Sequence, residues 1–172
     1  LYDEYCASKG IQFIINDKVN PYDDTTLFCP AGMQQFKPLF KDEKYKGTIA
    51  NVQSCIRMND FNEIGDATHL LYFNMIGLFS FRQMTLQSAI DFWVEFLKEQ
   101  LKLDISYVTI HPDKNTIAED WDLLYDNHNL KVKLSDDCKW TDGDIGGYCT
   151  EFFIDDVEIG NKLAGCFIAG GK

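Results

Sequence analysis

Residues 70–81 constrain the fold more than any other part of the chain, because twelve mostly apolar residues in a row must be buried. Their length and aromatic content favour a buried strand over a helix. Residues 51–58 also have an extended pattern, and the polar residues 59–68 between the two segments include Gly65. We therefore predict two antiparallel strands joined by a loop. Long loops on rigid strands often carry functional side chains.

The rest of the chain mixes helical and extended patterns. The clearest helix covers residues 85–103, where apolar side chains recur on one face. A capping box at residues 116–119 predicts a second helix running to about residue 127. We predict a short helix at residues 2–9, a glycine-containing loop at 136–149, and strands at 11–15, 25–29, 106–111, 130–134 and 150–154. This mixture, with an antiparallel hairpin, indicates the α+β class.

The balance of charge limits the classes of partner. A length of 172 residues predicts one domain. The chain has 16 basic and 27 acidic residues, which give a formal net charge of -11. A surface this acidic repels phosphate backbones, so we do not expect a DNA-binding or general nucleic-acid-binding protein. The densest basic stretch is formed by Lys37, Lys41, Lys44 and Lys46. It is either a local RNA contact or a solvated loop.

The cysteines and histidines do not form a recognisable metal or redox motif. None of the six cysteines forms a Cys-x-x-Cys pair, and the three histidines are far apart in sequence. We expect no metal site, and reduced, mostly buried thiols. There is no secretory segment and no apolar run long enough to span a bilayer, so we predict a cytoplasmic protein that is not attached to a membrane.

Two features could carry chemistry. Arg57 ends the first strand of the predicted hairpin, where its planar guanidinium could grip a phosphate or pair with Asp60 or Glu63. Residues 140–147 place acidic side chains among glycines. Such a segment could hold an ammonium group or a metal ion, or could be a turn-rich surface loop. Phosphate-binding Gly-x-x-x-x-Gly-Lys and Gly-x-Gly-x-x-Gly motifs are absent, so any ATP site must be of another kind.

The segments 29–38, 54–57, 69–81, 140–151 and 158–161 follow one another along nearly the whole chain. Together they resemble the catalytic core of the alanyl-tRNA synthetase family. Residues 29–38 (CPAGMQQFKP) are similar to the family's Asn-Ala-Gly-Met-Asn-Gln-Phe-Lys segment. Residues 54–57 (SCIR) resemble the start of its motif 2, and residues 69–81 resemble the long motif 2 strand. Residues 140–151 are similar to its Gly-Asp-Thr-Gly-Pro-Cys segment, and residues 158–161 (EIGN) to its Glu-Ile-Trp-Asn.

The resemblance implies a class II synthetase fold, an antiparallel sheet flanked by helices. It implies that ATP with Mg²⁺ and a small amino acid, alanine first, react to give an aminoacyl adenylate. The acceptor would be tRNA, a carrier protein or a small molecule. The resemblance implies that Arg57 binds the α-phosphate of ATP and is the catalytic residue. It assigns other ATP contacts to Asp60, Phe73, Asn74 and Met75, and the amino-acid pocket to Trp140, Asp144 and Asn161.

The chain also departs from the family pattern. The loop after Met58 lacks a Gly-Gly-Lys-His insertion, and Asn74 stands where the family has glutamate. Residues 1–172 contain no motif 3 and no tRNA-recognition or editing domain. Two functions follow from this pattern: a ligase of the alanine–tRNA ligase type, or a synthetase-derived binding or regulatory module without strong catalysis.

Overall fold

The computed structural model describes residues 1–24, 26–66, 68–112, 121–142 and 145–168. Within these ranges only the backbone is described at residues 59, 60, 121–123, 142, 145 and 161–168. The chain divides into two units, Leu1–Met84 and Thr85–Lys172. In the described part of the chain, no helix has the length and apolar character needed to cross a membrane.

The first unit is built on a three-stranded sheet in the order β1-β2-β3. Strand β2 (Gly47–Ile56) lies in the middle, parallel to β1 (Gln12–Asn16) and antiparallel to β3 (Tyr72–Phe81). The predicted hairpin of two antiparallel strands is thus confirmed. Its connection includes a 3₁₀ turn at Asn59–Glu63.

Each face of this sheet is covered by a different segment. Helix α1 (Tyr2–Ser8) reaches one face, where the ring of Tyr2 packs edge-on against Phe13 at 5.8 Å. The other face is covered by the segment that contains helix α2 (Lys37–Lys41). Phe36, just before α2, packs against Phe79 of β3 with ring centroids 4.8 Å apart. Phe36 is buried, so this contact is part of the apolar core.

Two details of the first unit differ from the sequence-based expectations. Residues 26–29 form no strand, so the strand predicted at 25–29 is wrong for the part that is described. The Cys29 amide donates a hydrogen bond to the Val19 carbonyl, and the Cys29 carbonyl accepts one from the Ile56 amide. These two isolated hydrogen bonds do not form a strand ladder. The basic stretch is partly helical: α2 begins at Lys37, Pro38 lies in its first turn, and Phe40 is buried in the core.

The second unit combines helices with a mixed sheet. Helix α3 (Leu86–Glu95) continues in one π-helical turn at Phe96–Gln100, which confirms the helix predicted there. The Thr85 side chain caps α3 by accepting a hydrogen bond from the Ser88 amide, as the preference for hydroxyl caps leads one to expect. Helix α4 is Trp121–Asp126. The capping box predicted at residues 116–119 lies outside the described residues.

The sheet of the second unit is organised around the long strand β7 (Ile145–Ile154). Strand β8 (Val157–Ile168) pairs along nearly the whole of one edge of β7. The other edge is shared by β4 (Tyr107–Ile110) and β6 (Lys139–Asp142), which pair with different halves of β7. Strand β5 (Val132–Leu134) lies parallel to β4.

The loop predicted at residues 136–149 is wrong for residues 139–142 and 145–149, which form β6 and the first half of β7. Of the three glycines that suggested a loop, Gly146 and Gly147 belong to β7, and Gly143 lies outside the described residues. A Cβ atom at Gly146 would lie 2.9 Å from the carbonyl oxygen of Trp140. Glycine is needed because two backbones approach closely, which sequence pattern alone cannot separate from a turn.

Helix α4 covers one face of this sheet. The Tyr125 hydroxyl shares a hydrogen bond of 2.9 Å with the Thr150 hydroxyl, and its ring packs edge-on against Phe152. Burial raises the pKa of the Tyr125 phenol. All three side chains are buried, so this face belongs to the core.

Replacing Gly77 by alanine should destabilise the first unit. The new Cβ atom would lie 2.6 Å from the Phe79 ring and 2.7 Å from Asn51 Oδ1, both held in the packed interior. We expect a loss of about 1–3 kcal/mol in the free energy of unfolding, measured by urea denaturation. Gly160→Ala is the matched strand control, because its nearest neighbour would be at an ordinary contact distance of 3.9 Å. Equal effects of the two substitutions would contradict this packing.

Candidate functional site

Arg57 lies directly after β2 and is held on the face of the sheet that α2 covers. Its amide donates to the Leu71 carbonyl, which extends the hairpin pairing by one step. Its Nε–H donates to the Pro30 carbonyl at 3.2 Å, and its guanidinium lies over the Phe73 ring at 5.3 Å. Among the described side chains, no acid forms an ion pair with Arg57, Glu63 included. The terminal nitrogens of the guanidinium are therefore not committed to any described acceptor.

Phe73 and Met75 lie on the same face as Arg57. Phe73 is paired with Cys55 and Met75 with Gln53 across the ladder, and alternate residues of a strand share a face. The Met75 sulfur accepts a hydrogen bond of 3.3 Å from the Gly32 amide. The structure therefore brings together three of the predicted ATP contacts.

Asn74 points to the opposite face. Its Oδ1 accepts a hydrogen bond of 2.8 Å from the Ser54 hydroxyl, which also accepts one from the Tyr72 hydroxyl. The side-chain period of two in a strand makes this separation unavoidable once Phe73 and Met75 share a face. The backbone of Asp60 lies in the 3₁₀ turn that follows Met58, and its side chain is outside the described part.

The segment that lies against Arg57 is fixed to the sheet by a buried amide. Asn51 is fully buried, and its Nδ2 donates to the Gly32 carbonyl at 3.0 Å. Beside it, burial raises the pKa of the Cys55 thiol to about 12 and also raises the pKa of Cys29. Both thiols are therefore neutral near pH 7. Lys37, from the basic stretch, forms an ion pair of 3.1 Å with Asp23.

In the second unit, Trp140 is half-buried on β6, opposite Gly147 of β7. Its indole Nε1–H is buried and has no acceptor among the described residues. A buried donor of this kind has a free-energy cost of about 1–3 kcal/mol unless a partner is supplied. The Trp140 indole N–H is therefore a hydrogen-bond donor without a described acceptor, next to the glycines of β7.

The other two residues of the predicted amino-acid pocket are described incompletely. Asn161 lies on β8, opposite Glu151 of β7, and only its backbone is described. Gly147 and Glu151 are four residues apart on β7, with Trp140 across one edge and Asn161 across the other. Asp144 lies outside the described residues.

A buried polar cluster that the sequence pattern did not predict lies on the face of β7 opposite Thr150. The Thr109 hydroxyl donates to Glu151 Oε2 at 3.0 Å, and the Cys138 thiol donates to the Thr109 hydroxyl at 3.1 Å. A hydrogen bond with the Cys149 thiol lowers the pKa of Cys138. The signal available in the sequence was a cysteine and a glutamate two residues apart on a strand, but Thr109 and Cys138 come from distant segments.

With this geometry established, the comparisons with known proteins define the class. The family model of the class II (A) tRNA synthetases matches residues 2–166. The chain therefore belongs to this family of class II aminoacyl-tRNA synthetases, whose α+β fold it shares.

The curated relatives are more specific. The chain is 32% identical over 163 residues to an alanine–tRNA ligase from Desulfitobacterium hafniense, covering 90% of this chain and 19% of that protein. It is 34% identical to the enzyme of Wolinella succinogenes, with 92% and 20% covered. It is 37% identical to that of Francisella tularensis, with 90% and 19% covered. The chain spans about a fifth of the length of these relatives.

The contact between Arg57 and Phe73 should be measurable by a double-mutant cycle. A half-exposed cation over an aromatic ring contributes about 0.5–1 kcal/mol. We expect that much coupling between Arg57→Met and Phe73→Leu in urea denaturation. The control pair is Arg57→Met with Asn74→Ala, which lies on the other face and should show no coupling. Equal coupling in both cycles would mean that the two faces are not assigned correctly.

Proposed function

We propose that this chain forms part of an active site that uses ATP to activate alanine, or another small amino acid, as an aminoacyl adenylate. The acceptor would be tRNA, a carrier protein or a small molecule, in the cytoplasm. The observation that carries the proposal is Arg57, whose terminal nitrogens have no described acceptor and whose ring neighbour is Phe73. The alanine–tRNA ligases to which the chain is similar support the choice of reaction.

Arg57 fits the role of phosphate ligand. Its Nε is held by the Pro30 carbonyl, so the guanidinium is oriented before a ligand arrives. A planar guanidinium with two free amino groups can grip a phosphate through two parallel hydrogen bonds. The reaction would be an in-line attack of the amino-acid carboxylate on the α-phosphate. Arg57 would then bind the phosphate oxygens, where charge changes most.

The Phe73 ring would contact the adenine, with Met75 beside it on the same face. Asn74 does not fit this set, because its side chain is bonded to Ser54 on the other face. We therefore leave it out of the proposed ATP site.

Magnesium would arrive with the nucleotide. Neither β2 nor β3 contains an aspartate or a glutamate, so these strands offer no carboxylate ligand. Mg²⁺ is commonly held by substrate phosphates with few protein ligands, so this composition suits it. When bound, the ion would neutralise phosphate charge, and the residues of the chain would be left to orient the nucleotide.

Trp140 fits one wall of the amino-acid pocket. Its indole N–H could donate to the carboxylate or carbonyl oxygen of a small amino acid, which would satisfy a donor that lacks a described partner. Its ring would exclude large side chains. The assignment of Asn161 to the ammonium group, with Asp144 adding negative charge, remains a prediction from the resemblance.

ATP affinity should depend on Arg57 but not on Asn74. Removing a hydrogen-bonding charge from a phosphate contact costs about 1.5–3 kcal/mol, so Arg57→Ala should weaken ATP binding roughly 10- to 100-fold. Asn74→Ala should change it by less than about twofold, because that side chain lies on the other face. Titration calorimetry on the protein containing this chain measures both. A loss on Asn74→Ala as large as that on Arg57→Ala would overturn the assignment of the ATP face.

Trp140→Ala should relax selectivity in amino-acid-dependent pyrophosphate exchange. The intact protein should use alanine, serine and glycine in preference to valine and leucine, with imperfect rejection of serine. A pocket distinguishes one methylene by only about 1–3 kcal/mol, so the preference for alanine should fall by roughly 10- to 200-fold in the variant.

The matched aromatic control is Tyr107→Ala, in the same sheet, where the ring is stacked on Phe153 at 4.7 Å. It should leave the selectivity unchanged. If the wild-type protein shows no exchange with any small amino acid while ATP binding persists, the chain is a synthetase-derived binding module.

A further inference from the structure

Two strands of the second unit and the residue that precedes a third bring four polar side chains to one buried place. Thr109 is on β4, Cys138 comes just before β6, and Cys149 and Glu151 are on β7. Cys149 and Glu151 are two residues apart, so they share a face. Thr109 is the cross-strand partner of Glu151, and the Cys149 amide donates to the Cys138 carbonyl at 3.0 Å. Backbone pairing therefore sets the position of all four residues.

The ligand atoms of this cluster converge. The two sulfurs and a carboxylate oxygen of Glu151 all lie within 4.8 Å of one another. Cys138 Sγ is 3.9 Å from Glu151 Oε2 and 3.1 Å from the Thr109 hydroxyl oxygen. All four side chains are buried.

We propose that Cys138, Cys149 and Glu151 bind a Zn²⁺ ion, with the fourth coordination position next to the Thr109 hydroxyl. Zinc binds cysteine thiolates and carboxylates. Mg²⁺ and Ca²⁺ prefer oxygen ligands and bind weakly to thiolates. This inference does not rest on the adenylate-forming activity, because the site lies within one unit and needs neither ATP nor an amino acid.

The distances are close to those of a tetrahedral site. Zn–S bonds of about 2.3 Å and Zn–O bonds of about 2.0 Å imply sulfur–sulfur separations of about 3.8 Å and sulfur–oxygen separations of about 3.5 Å. The observed upper limit of 4.8 Å is about 1 Å larger. Rotations of the cysteine side chains would be enough to close that gap, without a change in strand register.

The hydrogen bonds of the cluster would hold the metal-binding side chains in place before the ion binds. The Thr109 hydroxyl donates to Glu151 Oε2, which holds the carboxylate next to the sulfurs. A water in the fourth position could donate to the oxygen of the same hydroxyl, whose own hydrogen is given to Glu151. Hydrogen bonds from neighbouring side chains to metal ligands orient those ligands, and losing one typically changes metal affinity by roughly 10- to 100-fold.

Zinc here would join β6 to β7 close to Trp140. Cys138 precedes the short strand β6, which pairs with β7 over only four residue pairs. Trp140 is the second residue of β6. A metal bond at the start of this strand would restrain the backbone that positions the indole. On binding, each cysteine would give up its thiol proton as the Zn–S bond forms.

The test is zinc content and affinity of the protein purified under reducing conditions, with Zn²⁺ itself as the probe. We expect one tightly held zinc ion from this site, measured by elemental analysis after gel filtration and by competition with a chromophoric chelator. Cys138→Ser and Cys149→Ser should each lower the zinc affinity by about 100-fold or more, because losing a hydrogen bond to a metal ligand already reaches that size. Cobalt substitution should give sulfur-to-metal charge-transfer absorption that both variants weaken.

Cys6→Ser is the matched control, because Cys6 is a fully buried cysteine of the first unit and belongs to no such cluster among the described residues. It should leave zinc binding unchanged. Thr109→Val tests the site without removing a metal ligand, and should weaken zinc binding roughly 10- to 100-fold while the protein stays folded by circular dichroism. Absence of bound zinc in the wild-type protein, equal loss in Cys6→Ser, or a Cys138–Cys149 disulfide found in the non-reduced protein would overturn the proposal.

Discussion

The ten-pair antiparallel ladder between β2 and β3 is the constraint on which the first unit depends. It decides which side chains share a face, so it places Arg57 with Phe73 and separates both from Asn74. A shift of one residue would move every side chain of β3 to the other face. The register is reinforced at Gly77, where only glycine leaves room for the Asn51 amide. The same amide holds the Gly32 carbonyl, so one buried side chain connects the ladder to the segment covering it.

Strand β7 plays the corresponding part in the second unit. One of its edges is filled by β8, and the other is divided between β4 and β6. Its residues alternate between two environments. Thr150 and Phe152 face the core under Tyr125, whereas Cys149 and Glu151 join a buried polar cluster. Burying a carboxylate requires compensation by hydrogen bonds or by a cation, which makes this the more demanding face of the sheet.

Each unit, taken by itself, offers a different kind of recognition. The first offers a guanidinium with uncommitted nitrogens and an aromatic ring, which suit a nucleotide. The second offers an indole N–H without a described acceptor, next to a glycine-lined strand, which suits a small polar ligand. An acidic chain, with a net charge of -11, would repel free nucleotides at long range. Binding of ATP would therefore depend on the local positive charge of Arg57 and on the magnesium that accompanies the nucleotide.

The sequence by itself determined the family, the α+β class, the β2–β3 hairpin and the long helix beginning after Thr85. These features come from local patterns: a long apolar run, a helical period of apolar residues, and motifs in order along the chain. The sequence also indicated Arg57, because a charged residue at the end of a buried strand is conspicuous. It assigned residues 139–142 and 145–149 to a loop although they form strands, because glycine is common both in turns and in strands that another backbone approaches closely.

Only the tertiary structure decided which residues act together. The period of two along β3 put Asn74 on the face away from Phe73, although the two are neighbours in sequence. Pairing of β4, β6 and β7 brought Thr109, Cys138 and Glu151 into contact, although as many as 42 residues separate them. No local pattern records such contacts, because they depend on strand order and register, which are set by packing of the whole sheet.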